Sequence, residues 1–270
     1  MIGAFKLLFQ LLLNNRSRLS TLAIIRTLIL LAVYKRTHVK KESVQINLGS
    51  YTISAPDYEV LSFLIKEKFI GQEYYFEADN AAPVIIDCGA NIGVSLIYFK
   101  CLYPEATVHC FEPNATAFYF LEKNVLANKL ENVFLHKEAV SDINGIVSLY
   151  IPESGKIINA SLENNGYPES VRSVRLSDTI LNIKNIDLVK IDVEGTENRI
   201  IKDLADSSLL AQGRIKKFII EYHFSRKKNK TELNDFNELF IRNNYTTKMD
   251  TTNHGGDFFI RADSIHIYKH

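Results

Sequence analysis

Val84-Ile85-Ile86-Asp87-Cys88-Gly89-Ala90-Asn91-Ile92-Gly93 is a β-branched run that turns through two glycines and an asparagine, and Val94-Ser95-Leu96-Ile97-Tyr98-Phe99 then carries helical spacing on to Leu102. A buried strand, a tight loop and a helix N-terminus in that order form the cofactor-binding unit of doubly wound α/β folds. A dinucleotide loop wants glycine in its middle place, so that the backbone can approach a pyrophosphate. Here that place holds Asn91, and Asp87 sits where the strand ends. An anion aimed at the loop suits a ligand bearing an ammonium and a sulfonium. The stretch therefore favours S-adenosylmethionine over NAD.

Outward from this unit, strand and helix patterns alternate. Strands are expected at 83–87, 107–111, 132–136, 187–191, 217–222 and 264–269, with helices near 93–102, 115–127, 196–205 and 231–243. Strands separated by helical patterns imply parallel pairing through crossovers. Gly145–Ile151 and Val171–Leu176 break the rhythm; both alternate and are expected to pair as an antiparallel insertion, with a polar loop at 153–170 over the site. Upstream, Val44–Ile53 reads as a short hairpin or a strand, and Asp57–Phe69 as a helix with Asp57 as its cap.

Chemistry-bearing residues fall at strand ends. Glu112 closes the second core strand, where an acid accepts hydrogen bonds from ribose hydroxyls. After the third strand Glu138, with Asp142 as its rival, is the acid for which a likeness to class I methyltransferases would imply a place beside the adenine amine. Gly89 permits the turn, and Gly93 is expected to let helix and cofactor approach closely. Asn91 either holds the loop through its own backbone or reaches the methionine end. Lys190, Asp192 and Glu194 share a face if the strand period continues, and charges there would be costly as core filling, so they mark a site. Glu221 and His223 form a second such pair at the end of the next strand.

Asp87-Cys88-Gly89-Ala90-Asn91-Ile92-Gly93, Phe111-Glu112-Pro113, Lys190-Ile191-Asp192-Val193-Glu194-Gly195 with Glu197, and Glu221-Tyr222-His223 together resemble the successive motifs of the FkbM family of methyltransferases. The resemblance runs from about Tyr58 onward. It implies a Rossmann-like α/β fold with a seven-stranded, mostly parallel sheet, with Asp87 facing the methionine ammonium. It also implies neighbouring strands that bring Asp192, Glu194, Glu221 and His223 together as the catalytic set, and a turn that carries Tyr74 toward the pocket. The implied reaction is O-methylation of a glycan, glycolipid or related metabolite, with His223 or Asp192 taking the hydroxyl proton. N-methylation of a sugar amine, an NAD-dependent oxidoreductase and a non-catalytic membrane-associated module are the alternatives. An oxygen-rich magnesium site at Asp192, Glu194 and Glu221 is a further reading, but no metal is assigned.

Composition narrows the partners. An apolar fraction of 46% with 23% charged residues is that of a globular chain, and a net charge of +1 gives no reason to expect nucleic acid. Cys88, Cys101 and Cys110 have no metal-like spacing and read as reduced thiols of a cytoplasmic protein. Charge is uneven, however. Residues 1–41 carry Lys6, Arg16, Arg18, Arg26, Lys35, Arg36, Lys40 and Lys41 without one acid. We read 1–42 as a basic amphipathic helical arm and 43–270 as the methyltransferase domain, its core starting near Tyr74. The arm is open to three readings: peripheral contact with an anionic membrane, packing on the domain or a second subunit, or a span. No phosphate-loop motif and no Pro-Pro amide clamp is present, which excludes an NTPase and nucleobase amino methylation on motif grounds.

Overall fold

The computed structural model describes residues 15–17, 19–37, 43–152, 160–162, 166–223, 230–251 and 258–265. Helix α1 (Thr21–Thr37) precedes a hairpin of β1 (Val44–Leu48) and β2 (Tyr51–Ala55), then α2 (Tyr58–Ile65), which runs into a wide π-type turn over Lys66–Gly71. The core opens with β3 (Val84–Cys88), α3 (Val94–Leu102), β4 (Thr107–Phe111), α4 (Ala115–Ala127) and β5 (Val133–His136). An excursion follows: β6 (Ala139–Ser141), β7 (Gly145–Ile151), β8 (Tyr167–Arg175) and the short α5 (Leu176–Thr179). The chain returns through β9 (Leu188–Ile191), α6 (Glu197–Asp206), β10 (Lys217–Tyr222), α7 (Lys230–Arg242), β11 (Tyr245–Thr251) and β12 (Phe258–Ser264).

Seven strands form one sheet in the order β11-β12-β10-β9-β3-β4-β5, parallel except that β12 runs against both its neighbours. The parallel strands are apolar on both faces because both are covered. Leu96, Ile97, Phe99, Phe118 and Leu121 pack on one side with the β1–β2 hairpin and α2; Ile200, Ile201, Leu204, Phe236 and Phe240 pack on the other. Side-chain caps fix two helix starts: Asp57 Oδ1 accepts from the Val60 N–H at 2.8 Å and Asn114 Oδ1 from the Ala117 N–H at 2.9 Å. Strand order reverses between β3 and β9. In open α/β sheets such a switch point leaves a crevice beyond the carboxyl ends, and that crevice is where ligands bind.

The antiparallel insertion forms as expected, β7 against β8, with β6 alongside. Of the polar loop expected at 153–170, residues 153–159 and 163–165 lie outside the described residues. Of the strand expected at 264–269, Ser264 closes β12 and Ile265 follows it. That end of the sheet is β11 and β12, and residues 266–269 lie outside the described residues. Strand β11, Tyr-Thr-Thr-Lys-Met-Asp-Thr, sits at the sheet edge and so lacks the apolar run that marks a central strand.

Helix α1 packs inward through Ile24, Leu31 and Thr27, whose Oγ1 donates to the Asn47 carbonyl at 3.0 Å. Its outer side shows Leu22, Ile29, Leu30 and Val33 to solvent. Among the described residues no helix is long and apolar enough to cross a membrane. Residues 1–14 of the arm lie outside the described residues.

Candidate active site

The carboxyl ends of β3, β4, β9 and β10 open into one cavity of about 430 Å³, within the range of small-molecule sites. On one side its wall is the loop after β3. Gly89 (φ 82°), Asn91 (φ 49°) and Gly93 (φ 86°) all adopt left-handed backbone there, which turns the chain sharply from strand to helix. Two groups pin the loop. Glu112, buried at the tip of β4, accepts the Asn91 N–H at 2.9 Å on Oε2 and the Asn114 N–H at 2.7 Å on Oε1. Lys190, on β9, donates to the carbonyls of Cys88 at 3.2 Å and Gly89 at 2.6 Å. Asn91 takes the first of its two expected roles, its Oδ1 accepting the Ile92 N–H at 2.8 Å.

Two expectations on this side are corrected. Asp87 does not line the cavity. It is fully buried, opposite Lys190 in the β3–β9 register, with Lys190 Nζ 3.0 Å from Oδ1 and the Ser95 hydroxyl donating to Oδ2 at 2.6 Å. Its charge is already matched by the Lys190 ammonium. Gly93, for its part, makes room for protein: a Cβ there would come 2.7 Å from Leu121 Cδ1 of α4. Gly89 is similar, since a Cβ would lie 1.9 Å from the Asp192 carbonyl oxygen. Both glycines serve a positive φ and a close approach of neighbouring protein, the Asp192 backbone at Gly89 and the Leu121 side chain at Gly93. Of the two rivals for the adenine amine, Glu138 lines the cavity and pairs with Arg172 at 3.1 Å, whereas Asp142 lies off it, paired with Arg199 at 2.6 Å.

The opposite wall is built from side chains. Strand β9 ends at Ile191, and Glu194 then takes φ 58°, so the strand alternation stops; Lys190, Asp192 and Glu194 nevertheless all line the cavity. His223, just past β10, joins them. Its Nδ1 lies 2.8 Å from Oε1 of the fully buried Glu197, while its Nε2 faces Glu194 Oε2 at 3.4 Å and Asp192 Oδ1 at 3.9 Å. Burial opposes charge on this imidazole. The Glu197 hydrogen bond and the carboxylates of Glu197, Glu194 and Asp192 outweigh it and raise its pKa well above the ordinary value. Burial likewise pushes Asp192 up, but Lys190, Lys68 and His223 prevail and hold it below the usual carboxylate range. Glu221 has weaker compensation: burial, then the Asp192 charge, push it up to about 9. Asp192, Glu194, Glu221 and His223 are thus brought together in one cavity.

Two contributors escape the sequence reading. Glu67 and Lys68 look like a solvated pair on α2, yet the π-type turn rotates both inward. Lys68 Nζ lies 3.0 Å from Glu67 Oε2, 3.1 Å from Glu73 Oε2 and 3.9 Å from the Tyr74 ring centre. Tyr74, fully buried, donates to Asp192 Oδ2 at 2.6 Å. Glu197 was visible only as part of a motif; a buried acid in the first turn of α6 was the signal for its partner. Donor atoms of Asp192, Glu194 and His223 lie within 4.8 Å of one another, so the grouping that suits a cation replaces Glu221 of the expected trio with His223.

The lining also fits a cationic nucleoside ligand. Carboxylates outnumber ammonium groups around the cavity, Phe111, Ala139, Val140 and Leu149 give it an apolar patch, and Glu112 keeps lone pairs for hydroxyls beyond its two backbone bonds. The acids of the lining together make a favourable field for a positive charge.

Residues 87–247 match the family model described as the methyltransferase FkbM domain. The chain is 27% identical over 191 residues to Methyltransferase 1 of Beauveria bassiana, covering 62% of this chain and 76% of that one. It is 28% identical over 196 residues to the 31-O-demethyl-FK506 methyltransferase FkbM of Streptomyces tacrolimicus, covering 60% and 74%. It is 30% identical over 138 residues to the 2-O-methyltransferase NoeI of Sinorhizobium fredii, covering 44% and 56%. The crystal structure of methyltransferase FkbM from Methylobacillus flagellatus KT aligns with a TM-score of 0.48 at 14% identity, covering 88% of this chain and 59% of that one.

Proposed function

The chain belongs to the FkbM family of methyltransferases, and from that premise we propose that its acceptor is a hydroxyl group of a glycan, glycolipid or related metabolite. S-adenosylmethionine is the cofactor; when bound it supplies an activated methyl group, transferred as an oxygen–carbon bond forms and the sulfur–carbon bond breaks with its electron pair left on sulfur. Glu112 would accept the ribose hydroxyls, and Glu138 the adenine amine. Two relatives named as O-methyltransferases support the hydroxyl reading.

One observation carries it: the His223 imidazole, held from behind by Glu197 and turned with Nε2 toward the cavity. A hydroxyl becomes a good nucleophile only as its proton leaves, and a positioned histidine accelerates such steps by roughly 10²–10⁴-fold. In the neutral imidazole Nδ1–H donates to Glu197, which leaves the Nε2 lone pair to take the acceptor's proton. Asp192 and Glu194, on either side, accept hydrogen bonds from the acceptor and orient it. Because neighbouring carboxylates keep His223 protonated at neutral pH, it must first release that proton to solvent, and turnover rises as the solution becomes more alkaline.

Calorimetry with S-adenosylhomocysteine and with NAD tests the donor side: binding of the first and not the second is expected, and the reverse result would rule the reading out. On the acceptor side, labelled methyl groups are expected to appear in lysate carbohydrate with the wild type and not with Asp192→Asn. Label in protein alone would point to an amine or protein acceptor instead.

The arm supports a peripheral membrane contact. Leu22, Ile29, Leu30 and Val33 on the outside of α1, set within an acid-free basic segment, match an anionic lipid surface. Co-sedimentation with phosphatidylserine vesicles, lost in high salt, is the expected result; no difference from phosphatidylcholine vesicles would refute it.

A further inference from the structure

We propose that strand β11 is the seam of a two-fold homodimer, pairing antiparallel with β11 of a second copy so that the two sheets run on as one. Tyr245–Thr251 is the outermost strand beyond β12, and among the described residues no strand lies on its other side. An open edge is a ready template for strand addition, and short edge strands are one way that proteins avoid it. At the far edge β5 has four residues, whereas β11 has seven. The hydrogen-bond phase shows which peptide groups of β11 face outward. Asn244 accepts the Ile265 N–H at 2.8 Å, and the Ser264 N–H is spent on the Lys216 carbonyl at 2.8 Å, away from β11. Tyr245 stands opposite Ser264 in the register. Bonded pairs alternate along an antiparallel ladder. Thr246, Lys248 and Asp250 therefore bond to β12, and Thr247, Met249 and Thr251 direct their N–H and C=O to the open side.

Charge then selects the partner and the register. Lys248 and Asp250 lie 3.1 Å apart, both exposed on one face of the strand. A lysine on an edge strand ordinarily discourages pairing; here Asp250, two residues on, makes it specific for a second copy. With the dyad at Met249, Lys248 of each copy stands opposite Asp250 of the other, and the four charges alternate in sign. Moving the dyad by one residue in either direction sets lysine against lysine or aspartate against aspartate, and like charges directly opposite are destabilising. In the favoured register Thr247, Met249 and Thr251 of one copy meet Thr251, Met249 and Thr247 of the other, so the outward N–H and C=O groups satisfy each other. The opposite face carries the apolar contact. Tyr245 packs there against Phe240 of α7, and the Thr247 hydroxyl donates to Asn237 Oδ1 at 2.5 Å. Strand alternation puts Met249, 42% exposed, on that same face, where it covers its twin. The strand is thus its own complement, as a two-fold interface requires.

Sedimentation velocity of the full chain over a range of concentrations tests this. Wild type is expected to form dimers that dissociate on dilution. Lys248→Asp and Asp250→Lys each make both opposed pairs repulsive, and each should weaken the dimer about tenfold. Both positions are exposed, and thermal melts followed by circular dichroism should show both variants folded. An equimolar mixture of the two variants sets opposite charges across the seam again and should dimerise like wild type. The double variant Lys248→Asp/Asp250→Lys should do the same alone. Wild type that stays monomeric leaves this edge to another protein and overturns the proposal. Dimers indifferent to the single reversals overturn it too, since the contact then lies elsewhere, as on the outer side of α1. So do assemblies that grow beyond two copies, or losses in the single variants that neither the mixture nor the double variant restores.

Discussion

The two walls of the cavity are built on opposite plans. Around the loop after β3 the shape is held by backbone: left-handed turns at Gly89, Asn91 and Gly93, carbonyls gripped by Lys190, and an N–H gripped by Glu112. Across from it, Asp192, Glu194, His223 and Glu221 are side chains whose charges depend on one another. On the reading proposed above, the difference suits the two jobs. A donor with fixed structure is matched by a rigid frame, whereas proton transfer needs groups whose charge can change. Lys190 belongs to both, since its ammonium also lies 3.7 Å from Asp192 Oδ2.

The sharpest way to break the comparison is at Lys190. Lys190→Met would leave Asp87 buried and unpaired, and should destabilise the fold by about 3–5 kcal/mol in urea unfolding. The double variant with Asp87→Asn should recover most of that loss. If Lys190→Met unfolds like wild type and loses only donor affinity, Asp87 is a ligand group after all.

A smaller effect is expected at Gly93. Gly93→Ala places a side chain at φ 86° and against Leu121, a strain worth about 1–3 kcal/mol. Pairing it with Leu121→Ala should recover the steric part. A thermal shift confined to the donor-bound state would instead mean that the glycine faces the cofactor.

The third test lies on the side-chain wall and moves a pH profile more than a stability. Glu197→Gln removes the main support of the His223 charge, so the rising limb of activity should shift to lower pH by about one to three units. The stability sign follows from the raised folded pKa. The His223 contribution is fully present below the unfolded value and fades as pH climbs through the folded one, so the variant's deficit should be largest in acid and vanish in alkali. An unmoved profile would mean that another group takes the proton.

Much of this frame was legible beforehand because central strands and crossover helices are written in apolar periodicity. Val84–Cys88, Thr107–Phe111 and Lys217–Tyr222 fall where their runs place them, to within a residue. The convergence of Asp192, Glu194, Glu221 and His223 was legible too, since acids at the ends of apolar strands have few other reasons to be there. What did not read through was pairing across strands. Asp87 announced a charge near the loop, but only the register shows Lys190 directly opposite. Glu67 and Lys68 were hidden for another reason. A π-type turn shifts helical phase, and residues that belong on the wet face of an α-helix end on the dry one.

Phe63, Leu64, Glu67, Lys68 and Tyr74 border the cavity, yet all of them precede residue 87, where the span shared with the family begins. Part of the cavity wall is therefore encoded upstream of the stretch that matches the family. Two such enzymes can agree at every motif residue and still differ in clientele, because exchanges in this upstream segment would reshape the wall and, through Tyr74 and Lys68, the setting of Asp192 as well.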